Sequence, residues 1–319
     1  MKLSAWFCGI VALLSGGLVF AAGEGSSELK IEEAVRPKKF DEDKRITDNE
    51  LKAQAGSLSR YSLKFDLVYS GPPVDNLSDP SMPNPDGRAR PNRTVLSGYP
   101  AIRYRFNPSS ALNMSTGVRW YAPYQNVTGE DTAKPQGEKD YAMANPQISY
   151  DRTYPFYATQ MRSSFKGSYI TEDYYQLRGE WAGLGYTQGV KYTPGKGRVI
   201  LGLSLDLDYY LFNRDYQEKW PGQRTGDGKV SNYYLSYIPS FEYKIMDKLN
   251  FKTSVGWSFS NQRSRGNFRD WQEVEPTGRA GLGWSITREI YFYPYLSFYT
   301  KHPAISTTNL AFSTVFSIF

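Results

Sequence analysis

Val199-Ile200-Leu201-Gly202-Leu203-Ser204-Leu205-Asp206-Leu207-Asp208-Tyr209-Tyr210-Leu211 carries Val, Leu or Tyr at every odd position, with Gly202, Ser204, Asp206 and Asp208 between them. Side chains on a strand point alternately to opposite faces, so this segment has one apolar face and one wet face. An amphipathic helix would repeat its apolar residues every three or four positions instead.

The same alternation recurs outward from this segment. Tyr61, Leu63, Phe65, Leu67 and Tyr69 share one phase with Lys64 and Asp66 on the other. Leu112, Met114, Thr116, Val118 and Trp120 repeat the pattern, as do Tyr233, Leu235, Tyr237, Phe241 and Tyr243, and then Phe251, Val255, Trp257 and Phe259. Twelve candidate strands follow: 59–70, 93–106, 111–122, 141–152, 156–170, 174–191, 198–212, 231–245, 249–260, 275–287, 289–300 and 306–319. Phase is mixed between Tyr157 and Tyr192, and around Tyr291-Phe292-Tyr293-Pro294-Tyr295 both faces are aromatic.

Connections alternate in length. Asn107-Pro108-Ser109-Ser110, Thr193-Pro194-Gly195-Lys196-Gly197, Met246-Asp247-Lys248 and Thr287-Arg288 are short turns. Long polar loops at 71–92, 123–140, 213–230 and 261–274 lie between them, with shorter members near 171–173 and 301–305. Pro100, Pro146, Pro239 and Pro294 fall inside the expected strands and each removes a ladder donor. If they break their strands, the count falls to eight or ten. The range considered is eight to fourteen strands, centred on about twelve.

The chain begins with an export-type segment. Lys2 supplies the positive end, Trp6 to Phe20 the apolar run, and Val19-Phe20-Ala21 the cleavage positions. The run is short of the roughly 20 residues of a spanning helix. Residues 1–21 are therefore expected to be a signal peptide, and Cys8, the single cysteine, leaves with it. No disulfide or thiol chemistry is expected in what remains. Residues 22–57 are charged and poor in aromatics. They are expected to form a periplasmic segment with one short helix, capped near Thr47 and Glu50 and ended by Gly56, either folded into the barrel mouth as a partial plug or serving only as a solvated tether. Residues 58–319 are the expected barrel.

Aromatics make up 16% of the chain, with 26 Tyr and 7 Trp, which suits rings placed at membrane interfaces. Low mean hydropathy excludes a bundle of membrane helices. The net charge of +6, one less without Lys2, is too mild and too scattered for nucleic-acid binding.

The segment Asn309-Leu310-Ala311-Phe312-Ser313-Thr314-Val315-Phe316-Ser317-Ile318-Phe319 resembles the C-terminal signature of bacterial outer-membrane β-barrel proteins, a final strand ending in Phe. Together with the signal and the meander, this makes the chain similar to porin-like barrels. It matches no narrower family. The resemblance implies a transmembrane antiparallel meander barrel in the outer membrane of a Gram-negative bacterium, both termini periplasmic. It also implies contact with outer-membrane lipid, and recognition of Phe319, Ile318 and Phe316 by the barrel insertion machinery. The chain departs from the family pattern in phase: Leu310, Phe312, Phe316 and Ile318 alternate opposite to Phe319.

Site chemistry is sparse. The single histidine, His302, sits between Lys301 and Pro303, and Ala304 stands where a barrel phospholipase would carry serine. No catalytic residue, cofactor or metal site is expected, and Asp75, Asp79 and Asp86 read as solvated acids of a polar loop. The polar phase is more informative. Lys64, Arg103, Arg105 and Arg119, with Asp206 and Asp208, are the candidate pore-lining residues, and cations outnumber acids on that face. Charge facing inward is tolerable where water fills the lumen. The expected function is a non-enzymatic, porin-like channel for passive diffusion of small hydrophilic solutes with mild anion preference. A structural or surface-interaction barrel acting through its external loops is the alternative, and a barrel hydrolase is a distant third.

Overall fold

The computed structural model describes residues 46–83, 93–125, 140–195, 197–213, 216–220, 223–227, 231–262 and 271–318. The expected signal peptide, residues 22–45, Asp86 and Phe319 lie outside the described residues.

The described chain forms a closed antiparallel meander of 12 strands, the architecture of a transmembrane barrel. They are β1 (Tyr61–Pro73), β2 (Val95–Asn107), β3 (Ser110–Tyr121), β4 (Tyr141–Phe156), β5 (Thr159–Tyr169), β6 (Glu180–Tyr192), β7 (Val199–Phe212), β10 (Ser231–Met246), β11 (Leu249–Gln262), β12 (Trp271–Ser285), β13 (Ile290–Tyr299) and β14 (Thr308–Ile318). Closure runs through β1 and β14, where Leu63 pairs with Ile318 and Phe65 with Phe316. Every strand has two neighbours, so lipid meets no unpaired edge.

Period-two chemistry sets the wall. On β7, Leu201, Leu203, Leu205, Leu207 and Tyr209 are exposed on the outside while Asp206 and Asp208 turn in. Ile102, Met114, Ile148, Leu184, Phe251 and Leu310 continue the outward apolar belt on other strands. Cross-strand rings tie that belt together, with Phe65 stacked on Phe316 at 4.7 Å and Tyr237 on Trp257 at 5.2 Å.

The prolines are accommodated without loss of a strand. Pro100 pairs with Phe65 on one side, whereas the ladder to β3 skips from Gly98 to Ala101 in unchanged register. Pro239 pairs with Leu203 and Pro294 with Phe312, and each leaves its gap on the opposite neighbour. Pro146 adjoins the irregularity between Thr116 and Val118. Each ring spends its missing N–H on one ladder only.

Several boundaries differ from the sequence reading: β4 runs to Phe156 rather than 152, and β12 starts at Trp271 rather than 275, inside the expected loop 261–274. The β5–β6 connection spans 170–179 and holds a short helix, α2 (Asp173–Leu177), so the sixth strand starts at Glu180 rather than 174. Its mixed phase reflects that helical turn. The expected loop 213–230 contains a separate two-stranded sheet of β8 (Tyr216–Trp220) and β9 (Gln223–Asp227). The last strand begins at Thr308, after a tight 3-10 turn at Ile305–Thr307.

Before β1 lies helix α1 (Asn49–Ala55). Its cap is Asp48, one residue beyond Thr47, and the Asp48 side chain accepts from the Leu51 N–H at 2.8 Å. Gly56 ends it at φ 72°, and a Cβ there would press on Ser317 and Arg103. Seven residues are far fewer than the roughly 12–15 a helix needs to be even marginal alone. Its surroundings must therefore hold it.

Candidate functional site

α1 lies inside the barrel at the end closed by the short turns. Its N-terminal side meets Gln160, just after the β4–β5 turn, whose Oε1 accepts from the Thr47 and Asp48 N–H groups at 2.8 and 3.0 Å. Asn49 donates to the Asp247 carbonyl in the β10–β11 turn at 2.7 Å. Its apolar side packs on the inner face of β13 and β14, where Ala53 joins Tyr291, Tyr293, Tyr295 and Ala311 in one buried cluster with Val315 against it. Leu51 is buried as well. The doubly aromatic β13 thus turns Tyr291, Tyr293 and Tyr295 inward to a protein partner.

Ion pairs hold the acidic side of α1. Lys191, on β6, donates to Asp48 at 3.0 Å, to Glu50 at 2.7 Å and to Glu242 at 2.6 Å. Lys252, on β11, donates to Glu50 at 2.6 Å. Glu242, almost fully buried, also accepts from Asn250 at 2.6 Å. Burial by itself would push the Glu50 carboxyl up, but the Lys191 and Lys252 ammoniums hold it well below the usual carboxylate range. A buried carboxylate of this kind persists only because its charge is paired and hydrogen-bonded.

At the other end the wall supplies arginines to the carbonyls that a helix C-terminus leaves without intrahelical donors. Arg103 donates to Gln54 O at 3.2 Å, Arg105 to Ala55 O at 2.5 Å and to Gly56 O at 3.2 Å, and Arg288 to Gly56 O at 2.8 Å. Arg105 donates to Pro108 O too, at 2.8 Å. Two of the candidate pore-lining arginines are therefore engaged in holding α1. Arg119, the third candidate arginine, bonds Glu172 instead.

The remaining candidates sit elsewhere in the lumen. Lys64 is buried, 2.8 Å from Asp66 and 4.0 Å from Asp151. Asp151 in turn meets Arg162 at 3.2 Å. Asp208 pairs with Lys166 at 2.8 Å, and Asp206 accepts from Thr187 at 2.7 Å. Arg119 donates to Glu172 at 2.5 Å, next to α2, and the Thr171 and Glu172 N–H groups are anchored on Asn145. Three cavities that share lining residues run past these groups, two of them mainly polar and the one against α1 mixed. One lies against α1 and shares Arg162 with a second beside Lys64 and Asp151; the second shares Tyr99, Gln147 and Lys166 with a third that reaches Arg119.

Sequence phase missed Asp151 and Lys191. Lys191 belongs to the stretch of mixed phase, and the meaning of Asp151 depends on Lys64 and Arg162, which reach it from other strands. Ile318 is exposed and Phe316 stacks outward on Phe65, while Ser317 and Val315 turn inward. The fourth-from-last residue thus shares the lipid face with the penultimate one. His302 is exposed, its Nε2 3.8 Å from Glu275. Among the described residues no group of three or more His, Cys, Asp or Glu is arranged to hold a metal ion.

No protein-family model matches the chain, and no curated protein matches it. Solved structures similar to it include an outer-membrane channel from Pseudomonas putida F1, at 10% identity and TM-score 0.48, covering 83% of this chain and 98% of that one. The NanC porin has 10% identity and TM-score 0.42, covering 81% of this chain and 100% of that one. The KdgM porin, solved with disordered oligogalacturonate, has 8% identity and TM-score 0.41, covering 80% and 99%.

Proposed function

We propose that this chain is a porin-like channel of the Gram-negative outer membrane, with both termini periplasmic, passing small hydrophilic solutes through a lumen that α1 narrows from within. The observation that carries this reading is the series of cavities lined by charged side chains and sharing lining residues from Arg119 down to α1, inside a barrel whose outside is apolar. Buried charge of this density is costly in a dry interior and tolerable beside water. A mild anion preference belongs to the same proposal. Lys64, Arg103, Arg105, Arg119, Arg162 and Lys166 supply fixed positive charge, and Asp66, Asp151, Glu172, Asp206 and Asp208 limit it. Fixed charge in a confined pore concentrates counterions most at low ionic strength. Domain limits of 1–21, 22–57 and 58–319, and an assembly role for Phe316, Ile318 and Phe319, are proposed with it.

Conductance of the purified protein in planar bilayers tests the reading. The native chain should give small anion-preferring currents. Replacing Arg103, Arg105 and Arg119 with neutral residues should move the reversal potential toward cations and also enlarge the current, because two of the three hold α1. Silence from both proteins would end the channel reading. It would favour a surface-interaction barrel, for which the β8–β9 sheet in the connection 213–230 offers a built platform.

A further inference from the structure

Lys191 and Lys252 stand on different strands and converge on one carboxylate of α1. Three carboxylates, Asp48, Glu50 and Glu242, meet these two ammoniums, and two of the three come from the helix. With α1 withdrawn, the wall would keep two ammoniums and one acid. That acid lies 2.6 Å from Lys191 and 3.9 Å from Lys252, so Lys252 would lose its close partner. The lumenal cavity against α1 is lined by Glu50, Lys191 and Lys252 themselves, so a solute in the lumen reaches the same ammoniums. Its other lining mixes the hydroxyls of Ser204, Ser240 and Ser254 with the apolar side chains of Leu51, Val190 and Ile238, which suits a short solute with charged ends and a carbon backbone between them. The cavity holds about 210 Å³. At roughly 30 Å³ per water this is about seven waters, and it falls short of the roughly 300–1,000 Å³ of sites for larger ligands.

We propose that Lys191 and Lys252 form a binding site for a small dicarboxylate solute, and that Asp48 and Glu50 of α1 occupy it as an internal surrogate with which the solute competes. Two adjacent carboxylates on α1 already show the site taking a pair of such groups. Competition makes the helix responsive to cargo: solute bound at Lys191 and Lys252 removes the contacts that anchor the acidic side of α1. The binding site stands without the channel reading, whereas its use as a cargo-operated latch rests on that reading.

Succinate is the probe. Calorimetric titration of the detergent-solubilised protein should show binding at least about tenfold tighter for Asp48→Asn/Glu50→Gln than for the native chain, because an internal competitor lowers apparent affinity by the fraction of sites it leaves open. Asn at 48 preserves the helix cap. Adding Lys191→Met and Lys252→Met to that variant should abolish the gain. In the native protein, succinate should raise amide hydrogen exchange in 49–55 beyond sodium chloride of matched ionic strength, a measurement that needs no substitution. Equal succinate affinity in native and doubly neutralised chains, or unchanged exchange in 49–55, would overturn the proposal. Succinate binding by a barrel that passes no current would keep the site and discard the channel. Current without succinate binding would do the reverse.

Discussion

β7 and β13 are strands of the same barrel with opposite interiors. β7 sends Leu201 to Tyr209 outward and Ser204, Asp206 and Asp208 inward, where hydroxyls and Lys166 meet them. β13 sends Tyr291, Tyr293 and Tyr295 inward, all buried although they face the lumen. Tyr293 and Tyr295 stack at 4.8 Å, and Lys252 and Arg279 lie over their faces. A polar inner face is a wall against water. An aromatic inner face needs an apolar partner, and here that partner is α1. Even the glycines of β12 fit this division, since a Cβ at Gly283 would overlap the Tyr291 hydroxyl where it meets Asn250.

Charge placed on the two interiors should break this contrast most sharply. Ala53→Asp puts a carboxylate in the tyrosine cluster, where Ala53 has no exposed surface. Leaving a buried charge without a partner costs about 3–5 kcal/mol, more than α1 can absorb, so the helix should leave the wall. Conductance should rise and residues 49–55 should lose exchange protection. Ser204→Asp makes the same chemical change on the wet face of β7, where water can solvate the new charge, and should leave exchange protection in 49–55 unchanged. Equal effects of the two substitutions would mean that the two interiors do not differ in kind.

Acidity gives a smaller, signed effect. The Glu50 carboxyl is held below its ordinary range, so its contribution to docking is present above the unfolded value and is lost only as pH falls through the lower, folded one. The difference in α1 exchange protection between the native chain and Glu50→Gln should therefore stay constant from about pH 7 to about pH 4.5, then shrink in stronger acid. A difference that vanished near pH 6 would show that Glu50 is not held by Lys191 and Lys252.

The smallest effect is expected at the Lys166–Asp208 pair, whose lysine is nearly half exposed. Such pairs contribute about 0–1 kcal/mol. Lys166→Met should leave stability and α1 untouched and shift reversal potential slightly toward cations, more at low salt. A loss of α1 protection in this variant would link the wet wall to the plugged one.

How much of this was readable beforehand depended on range. Leu201 and Asp206 declare their faces because strand period is a local property of the backbone, and that property recurs on every strand of consistent phase. Pro100 and Pro239 looked like breaks because a sequence does not say that one neighbour can lack a bond while the other keeps its ladder. The Glu180 boundary was hidden by α2, whose Tyr-rich turn continues the composition of the strands around it.

The sequence by itself determined the barrel: alternation, short and long connections in turn, and an apolar phase long enough to cover a membrane. These are local regularities, and closure follows once lipid forbids unpaired edges. Only the tertiary structure decided what the inside holds. Nothing in the spacing of Asp48, Glu50, Lys191 and Lys252 marks them as partners, since 141 and 202 residues separate Glu50 from its two lysines. That meeting depends on strand register and on the curvature that brings β6, β11 and β13 around one helix, and both are properties of the closed sheet rather than of any segment in it.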